Sequence, residues 1–433
     1  MRYYSTKRGV EEVSYEEAVI QGLPADNGLF MPETIPTLDE GFLKGIHGLS
    51  IEEIGLQVAS EFIQDEIPED MLSKIVRETV SFDMPVVQVH DQIYSLELFH
   101  GPTCAFKDVG ARFLARCLGY FSGKSGRKAT ILVATSGDTG SAVANGFLGI
   151  PGIQVVILYP KGKVSEIQEK QLTTLGDNVT ALEVNGTFDD CQALVKQAFL
   201  DSDFKAQYHL TSANSINVAR LIPQSFYYFH AYSQLPKGED VYVSVPSGNY
   251  GNLTAGLIAK RMGLPIKQFI AASNANDVVP EYLKNAIFSA RPSVQTISNA
   301  MDVGNPSNFY RLLDLYNGQI DAIRNDIIGY SYTDEATRNA MQEVKQGFGY
   351  TLDPHGAVGY LGLQEFMRGR SGVGLFLETA HPAKFIDVVQ ETLNENIDIP
   401  NRLKSYLKGK KVTIGMEVDF GDLKAIISEI HDQ

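Results

Sequence analysis

From about residue 129 onward, short, nearly unbroken apolar runs alternate with longer stretches of mixed polarity. The runs at 129–134, 153–159, 179–184, 240–245, 266–272 and 373–377 are rich in β-branched residues and of strand length. Continuous apolar character is what a strand buried on both faces requires. Strands alternating with helical stretches predict βαβ units and parallel sheets. Residues 1–95 differ: they carry acidic, helix-period patterning, and Ser14 and Ser50 each stand directly before a segment with acids in its first turn. A serine followed by acids is a helix start signal. The expected fold is therefore α/β, with two parallel-sheet lobes, a cleft between them and a helical N-terminal unit. The expected divisions are 1–95, 96–235 and 236–433. Residues 285–370 read as mainly helical, with loops at 305–307 and 353–356.

Charge narrows the partners. The chain carries 37 basic and 52 acidic residues, a net charge of −15. Nonspecific nucleic-acid binding depends on neutralising phosphates with Lys and Arg, so this balance argues against it. It leaves room for a small basic pocket. Three cysteines, with no C-x-x-C pair, provide neither a disulfide framework nor a zinc cage. No stretch of about 18 apolar residues occurs, and the first residues lack the apolar core of a signal peptide. A cytoplasmic protein is expected, without membrane or metal. Monomer or homo-oligomer is undetermined.

Three segments carry candidate chemistry. In the first, the run at 240–245 leads into Pro246-Ser247-Gly248-Asn249-Tyr250-Gly251-Asn252 and then a helical stretch. Glycines allow close backbone approach, and the free N–H groups of a helix start hold an anion. The segment reads as a phosphate cradle or as a capped turn, and its residues alone allow both. It is not G-x-G-x-x-G, so a dinucleotide is not specifically indicated. The second, Thr135-Ser136-Gly137-Asp138-Thr139-Gly140, follows the run at 129–134 with the same grammar and the same two readings. The third is His100-Gly101-Pro102-Thr103-Cys104-Ala105-Phe106-Lys107-Asp108. A lysine amine forms a Schiff base with an aldehyde cofactor. An isolated lysine is usually a solvated surface residue, but Lys107 lies between Phe106 and a stretch of small residues that points it inward. Burial would then lower its pKa.

Two further segments need weighing. Leu377-Glu378-Thr379-Ala380-His381-Pro382-Ala383-Lys384-Phe385 leaves a late strand, so Thr379 or His381 could reach a ligand. A loop histidine is more often structural. Gly119-Tyr120-Phe121-Ser122-Gly123-Lys124-Ser125 is one residue short of a Walker A loop and follows a helical stretch, so a helix end is the better reading.

H-G-P-T-x-x-F-K-D, S-G-D-T-G, P-S-G-N-Y-G-N and T-A-H-P-A-K-F, in this order, resemble the threonine synthase family. That family belongs to the tryptophan-synthase-β group of pyridoxal-phosphate (PLP) enzymes, fold type II. Gly28-Leu29-Phe30-Met31-Pro32 and 214–220 are similar too, so the resemblance spans nearly the whole chain. Tyr250 stands where Phe is usual, and Asn252 replaces an acid found in some members.

The resemblance implies roles. Lys107 is the implied Schiff-base lysine and general base. Gly248, Asn249, Tyr250, Gly251 and Asn252 are the implied PLP phosphate loop. Asp138 is expected to face the cofactor's phenolic oxygen, and Thr379 to partner its ring nitrogen. Ser136, Thr139, Asn214 and Asn217 are the implied substrate contacts. Ligands for the substrate phosphate stay open among Lys161, Lys163, Asn214, Arg220 and others. The implied reaction converts O-phospho-L-homoserine and water to L-threonine and phosphate. Alternatives are a PLP-dependent serine or threonine dehydratase, a β-replacement synthase, or a silent PLP-fold binding protein.

Overall fold

The computed structural model describes every residue except Arg127, Ser136 and Gln433, and only the backbone of Asp432. Its strands, in chain order, are β1 (Tyr3–Ser5), β2 (Phe30–Pro32), β3 (Val86–His90), β4 (Ile93–Glu97), β5 (Ala129–Ala134), β6 (Ile153–Pro160), β7 (Val179–Val184), β8 (Leu210–Thr211), β9 (Val241–Pro246), β10 (Ile266–Ser273), β11 (Ile327–Ser331), β12 (Val373–Glu378) and β13 (Ile414–Met416). All six apolar runs are strands. β5 and β7 have the expected bounds, and the others differ by one residue.

Two sheets form the lobes. One has the order β11-β10-β9-β12-β4-β3 and is parallel except for β3, which pairs antiparallel with β4. The other has the order β13-β7-β6-β5-β8 and is parallel throughout. The contiguous division expected from sequence does not hold. β3 and β4, at the end of the supposed helical unit, complete the six-stranded sheet. β13, from the far C-terminus, edges the five-stranded sheet. β1 and β2 add a small antiparallel pair to the N-terminal region.

Local signals account for the N-terminal helices. Ser14 and Ser50 close reciprocal capping boxes with Glu17 and Glu53, at the starts of Tyr15–Gln21 and Ile51–Ile63. The Walker-like segment lies at the end of the helix Lys107–Ser125, which Gly126 terminates in the left-handed conformation. The long helices bury their apolar stripes in a core that reaches both lobes, where Phe113 and Phe226 meet edge to face. One expected loop is a helix start: Asp353 caps Pro354–Met367 by accepting from His355 and Gly356 N–H.

Candidate active site

The carboxyl ends of β5, β9 and β12 converge on one cavity of about 440 Å³. In open α/β sheets this is where ligands bind. Lys107, Asp138, Thr139, Asn214, Gly248, Asn249, Tyr250, Gly251, Asn252 and Thr379 all line it. Residues more than 270 positions apart in sequence thus share one wall.

Lys107 opens the helix Lys107–Ser125. The preceding turn is anchored at both ends. Phe106 N–H donates to Thr379 O at 2.9 Å, and Tyr227 hydroxyl donates to Phe106 O. Asp108, 1% exposed, accepts from Thr103 N–H at 2.9 Å and its hydroxyl at 2.5 Å. A Cβ at Gly101 would lie 2.3 Å from the Asp108 carboxylate, which explains the glycine in this segment. Among the described residues Lys107 Nζ has no hydrogen bond and no ion pair. Burial, together with the charges of Arg220 and Lys384, outweighs the opposing pull of Asp138 and lowers its pKa to about 8.

The segment after β9 has the shape an anion needs. Tyr250 adopts the left-handed conformation (φ 62°), and no side chain caps the helix Gly251–Arg261 that follows. Leu253 N–H donates to Asn252 Oδ1 at 2.9 Å, whereas the Gly251 and Asn252 amides have no side-chain acceptor among the described residues, and the helix dipole favours negative charge there. The loop is held from outside. Asn252 Oδ1 accepts from Ser247 hydroxyl at 2.6 Å, and Asn252 Nδ2 donates to Pro246 O at 2.9 Å. Asn249 spans two loops: Nδ2 donates to Ser215 hydroxyl at 2.5 Å, and Oδ1 accepts from Ser307 N–H at 2.6 Å.

The start of the helix Asp138–Phe147 forms the facing wall, again without a side-chain cap on its first residue. Thr135 hydroxyl instead accepts from Gly137 and Gly140 N–H. Burial pushes the Asp138 carboxyl up, but Lys384, Lys107 and hydrogen bonds from Lys384 and Gln168 together hold it well below the usual carboxylate range. Ser136 lies outside the described residues. The Thr379 and Thr139 hydroxyls and the Asn214 side-chain amide make no hydrogen bond among the described residues, while Asn214 N–H donates to the Ser212 hydroxyl at 3.2 Å.

Three expected contacts sit elsewhere. Asn217 is 0% exposed and off the cavity wall: its Nδ2 donates to Val19 O and Ser212 O, and its Oδ1 caps Val218–Leu221. Both side-chain N–H groups are spent on the fold and the oxygen serves as a helix cap. Lys161 and Lys163 are exposed and also off the wall. Arg220, by contrast, lines the cavity at 4% exposure, with its Nη1 on Ala213 O and its Nε unpaired. His381 is structural: its Nδ1 accepts from Ala383 N–H, and burial lowers its pKa to about 4.

Sequence reasoning missed His355, Gln168, Gln224 and the segment Asn299–Val303, which also line the cavity. His355 Nδ1 hydrogen-bonds Asp353 at 2.6 Å and its Nε2 accepts from Ala300 N–H at 3.2 Å. It therefore ties a helix start to that segment. In the sequence the Asp353-Pro354-His355-Gly356 string reads only as a loop.

Comparison with known proteins agrees with this architecture. Residues 85–375 match the family described as pyridoxal-phosphate dependent enzyme, 2–80 the threonine synthase N terminus, and 356–427 the threonine synthase C-terminal family. The chain is 44% identical to threonine synthase of Escherichia coli (strain K12) over 430 residues, covering 99% of each. It is 45% identical to that of Haemophilus influenzae over 432 residues, again covering 99% of each. The crystal structure of PLP-bound threonine synthase from Brucella melitensis superposes with a TM-score of 0.94 at 35% identity, covering 99% of both chains. The chain belongs to the threonine synthase family of pyridoxal-phosphate-dependent enzymes.

Proposed function

We propose that this chain converts O-phospho-L-homoserine and water to L-threonine and inorganic phosphate. One observation carries the reading: the unpaired Lys107 amine faces a cavity bounded by two helix starts whose N-cap residues offer no side-chain acceptor, and by Arg220, whose buried Nε has no partner. The reaction needs one amine and two anion sites, and these residues supply them.

Pyridoxal phosphate fits the residues present. Lys107 would carry it. The amides at the start of Gly251–Arg261, with Gly248, Asn249, Tyr250 and Asn252, would hold its phosphate. Asp138 would face its phenolic oxygen, and the Thr379 hydroxyl would give its ring nitrogen a neutral partner. Bound there, the cofactor supplies the electron sink for charge left on the substrate when a carbon-bound proton departs.

The remaining work falls to the chain. Lys107 Nζ takes the proton from substrate Cα and then one from Cβ, and returns protons at Cγ and Cα. A pKa drawn down to about 8 suits a base that must both accept and release protons near neutral pH. The Arg220 guanidinium holds the phosphate that leaves from Cγ, and its rigid fork suits a phosphate better than an ammonium does. Thr139 and Asn214 orient the substrate from the facing wall, and Ser136 joins them by its place in sequence. The three cysteines are buried and unpaired, as in a reducing cytoplasm.

A paired assay tests the reading. With phosphohomoserine, threonine and phosphate should appear in equal amounts. Faster deamination of serine or threonine would favour a dehydratase of the same fold.

A further inference from the structure

Lys384 is 1% exposed and sits in the short turn Pro382–Phe385 after β12. Its Nζ lies 2.7 Å from Asp138 Oδ1 and 2.9 Å from Thr103 O. Three segments of the cavity wall therefore meet at one ammonium: the start of the helix after β5, the chain leaving β12, and the loop that delivers Lys107. Gln168 Nε2 also donates to Asp138 Oδ1, at 2.9 Å. Both donors use the same oxygen. Asp138 Oδ2 has no donor among the described residues, and Asp138 lines the cavity.

A buried carboxylate with a free oxygen toward an anionic ligand would repel it, and would hold a nearby amine in its protonated form. Two charged groups of the site thus need Asp138 to be present yet electrically quiet. We propose that Lys384 is a positioning residue of the reaction: it clamps Asp138 through one oxygen and cancels the charge that Asp138 would otherwise present to Lys107 and to the cofactor. The proposal rests on Lys107 being the cofactor lysine and Asp138 its neighbour across the cofactor.

The surrounding charges act in the same sense. Lys107 feels Asp138, which favours its protonated form, and Arg220 and Lys384, which oppose it. Lys384 also acts on Asp108 and Cys104, and Arg402 acts on Cys104. Of these groups, only Lys384 forms an ion pair with Asp138.

The test is a charge cycle on the full-length chain. Cofactor is removed, and the rate of Lys107 labelling by acetic anhydride is followed against pH by peptide mass spectrometry. K384M should raise the labelling midpoint by about one pH unit, a roughly ten-fold loss of neutral amine at pH 7. D138N should lower it, and D138N/K384M should return it close to wild type. In each holoenzyme the pH titration of cofactor absorbance should move in the same direction, and K384R should stay near wild type. A strut without an electrostatic role would lower the melting temperature and leave the midpoints alone. If K384M does not fold, D138N and the double variant, which avoids an unpaired buried carboxylate, decide the matter. Coincident midpoints in those two, or a K384M midpoint no higher than wild type, would overturn the proposal. The identity of the cofactor lysine is decided separately, by where a reduced cofactor adduct is found.

Discussion

Gly248 lies against the backbone of Met301, so closely that a Cβ on Gly248 would stand 2.6 Å from Met301 Cα. The contact locks the segment after β9 to Asn299–Val303, which itself hangs from His355 through Ala300 N–H. Gly248→Ala must therefore push one wall of the cavity outward. We expect cofactor affinity to weaken at least about ten-fold, equivalent to about 1.4 kcal/mol, with little change in secondary structure. Equilibrium dialysis of the variant measures it, and unchanged affinity would remove Gly248 from the cradle.

Arg220 is buried with a free Nε, whereas Lys161 and Lys163 stand in solvent. Arg220→Lys keeps the charge and loses the fork. Its kcat/KM for phosphohomoserine should fall about 100-fold, in line with about 2–3 kcal/mol for a charge-assisted contact. Cofactor absorbance should be unaffected. Lys161→Ala and Lys163→Ala should leave kcat/KM within about two-fold, as surface changes away from a site do.

Asp353 both caps a helix and holds His355. Asp353→Ala should cost about 1–2 kcal/mol through the cap alone, and should also release Asn299–Val303. Asp353→Asn keeps an acceptor for the cap but not the charge beside His355. Thermal unfolding should therefore rank wild type above Asn and Asn above Ala. Equal stability of the two variants would assign the whole effect to His355.

The Lys107 amine titrates near pH 8 in the fold, against 10.5 for an ordinary lysine, chiefly because of burial. Between those values the folded chain binds fewer protons than the unfolded chain, so this group makes stability rise with pH across that window. In cofactor-free protein, Lys107→Met should flatten the rise between about pH 8 and 10 while leaving it alike below pH 7. Chemical denaturation at a series of pH values reads the difference. Parallel curves would mean that Lys107 is not buried as described.

Much of the fold could be read from apolar runs, because strands covered on both faces have no polar face to blur them. The misses follow from the same rule. β3 and β4 carry Gln88, His90, Tyr94, Ser95 and Glu97, and β3 lies at a sheet edge. β11 and β13 are edge strands too, each interrupted by a glycine. In the site, the residues lying in compact polar strings at strand ends were legible. Lys384, His355 and Asn299–Val303 were not, since their roles arise from contacts between distant segments. Asn217 was misread for the converse reason: it sits among polar residues of the right kind, but all its bonds are spent on a helix cap and two carbonyls.

Lys107, half-buried in the cavity wall and unpaired among the described residues, and Lys384, buried and clamped to Asp138, are amines of one region of the fold. Borohydride reduction of the holoenzyme, followed by proteolysis and peptide mass spectrometry, distinguishes them directly. A single reduced pyridoxyl adduct is expected on Lys107, and none in Lys107→Ala. An adduct on Lys384, or one that persists in Lys107→Ala, would contradict it.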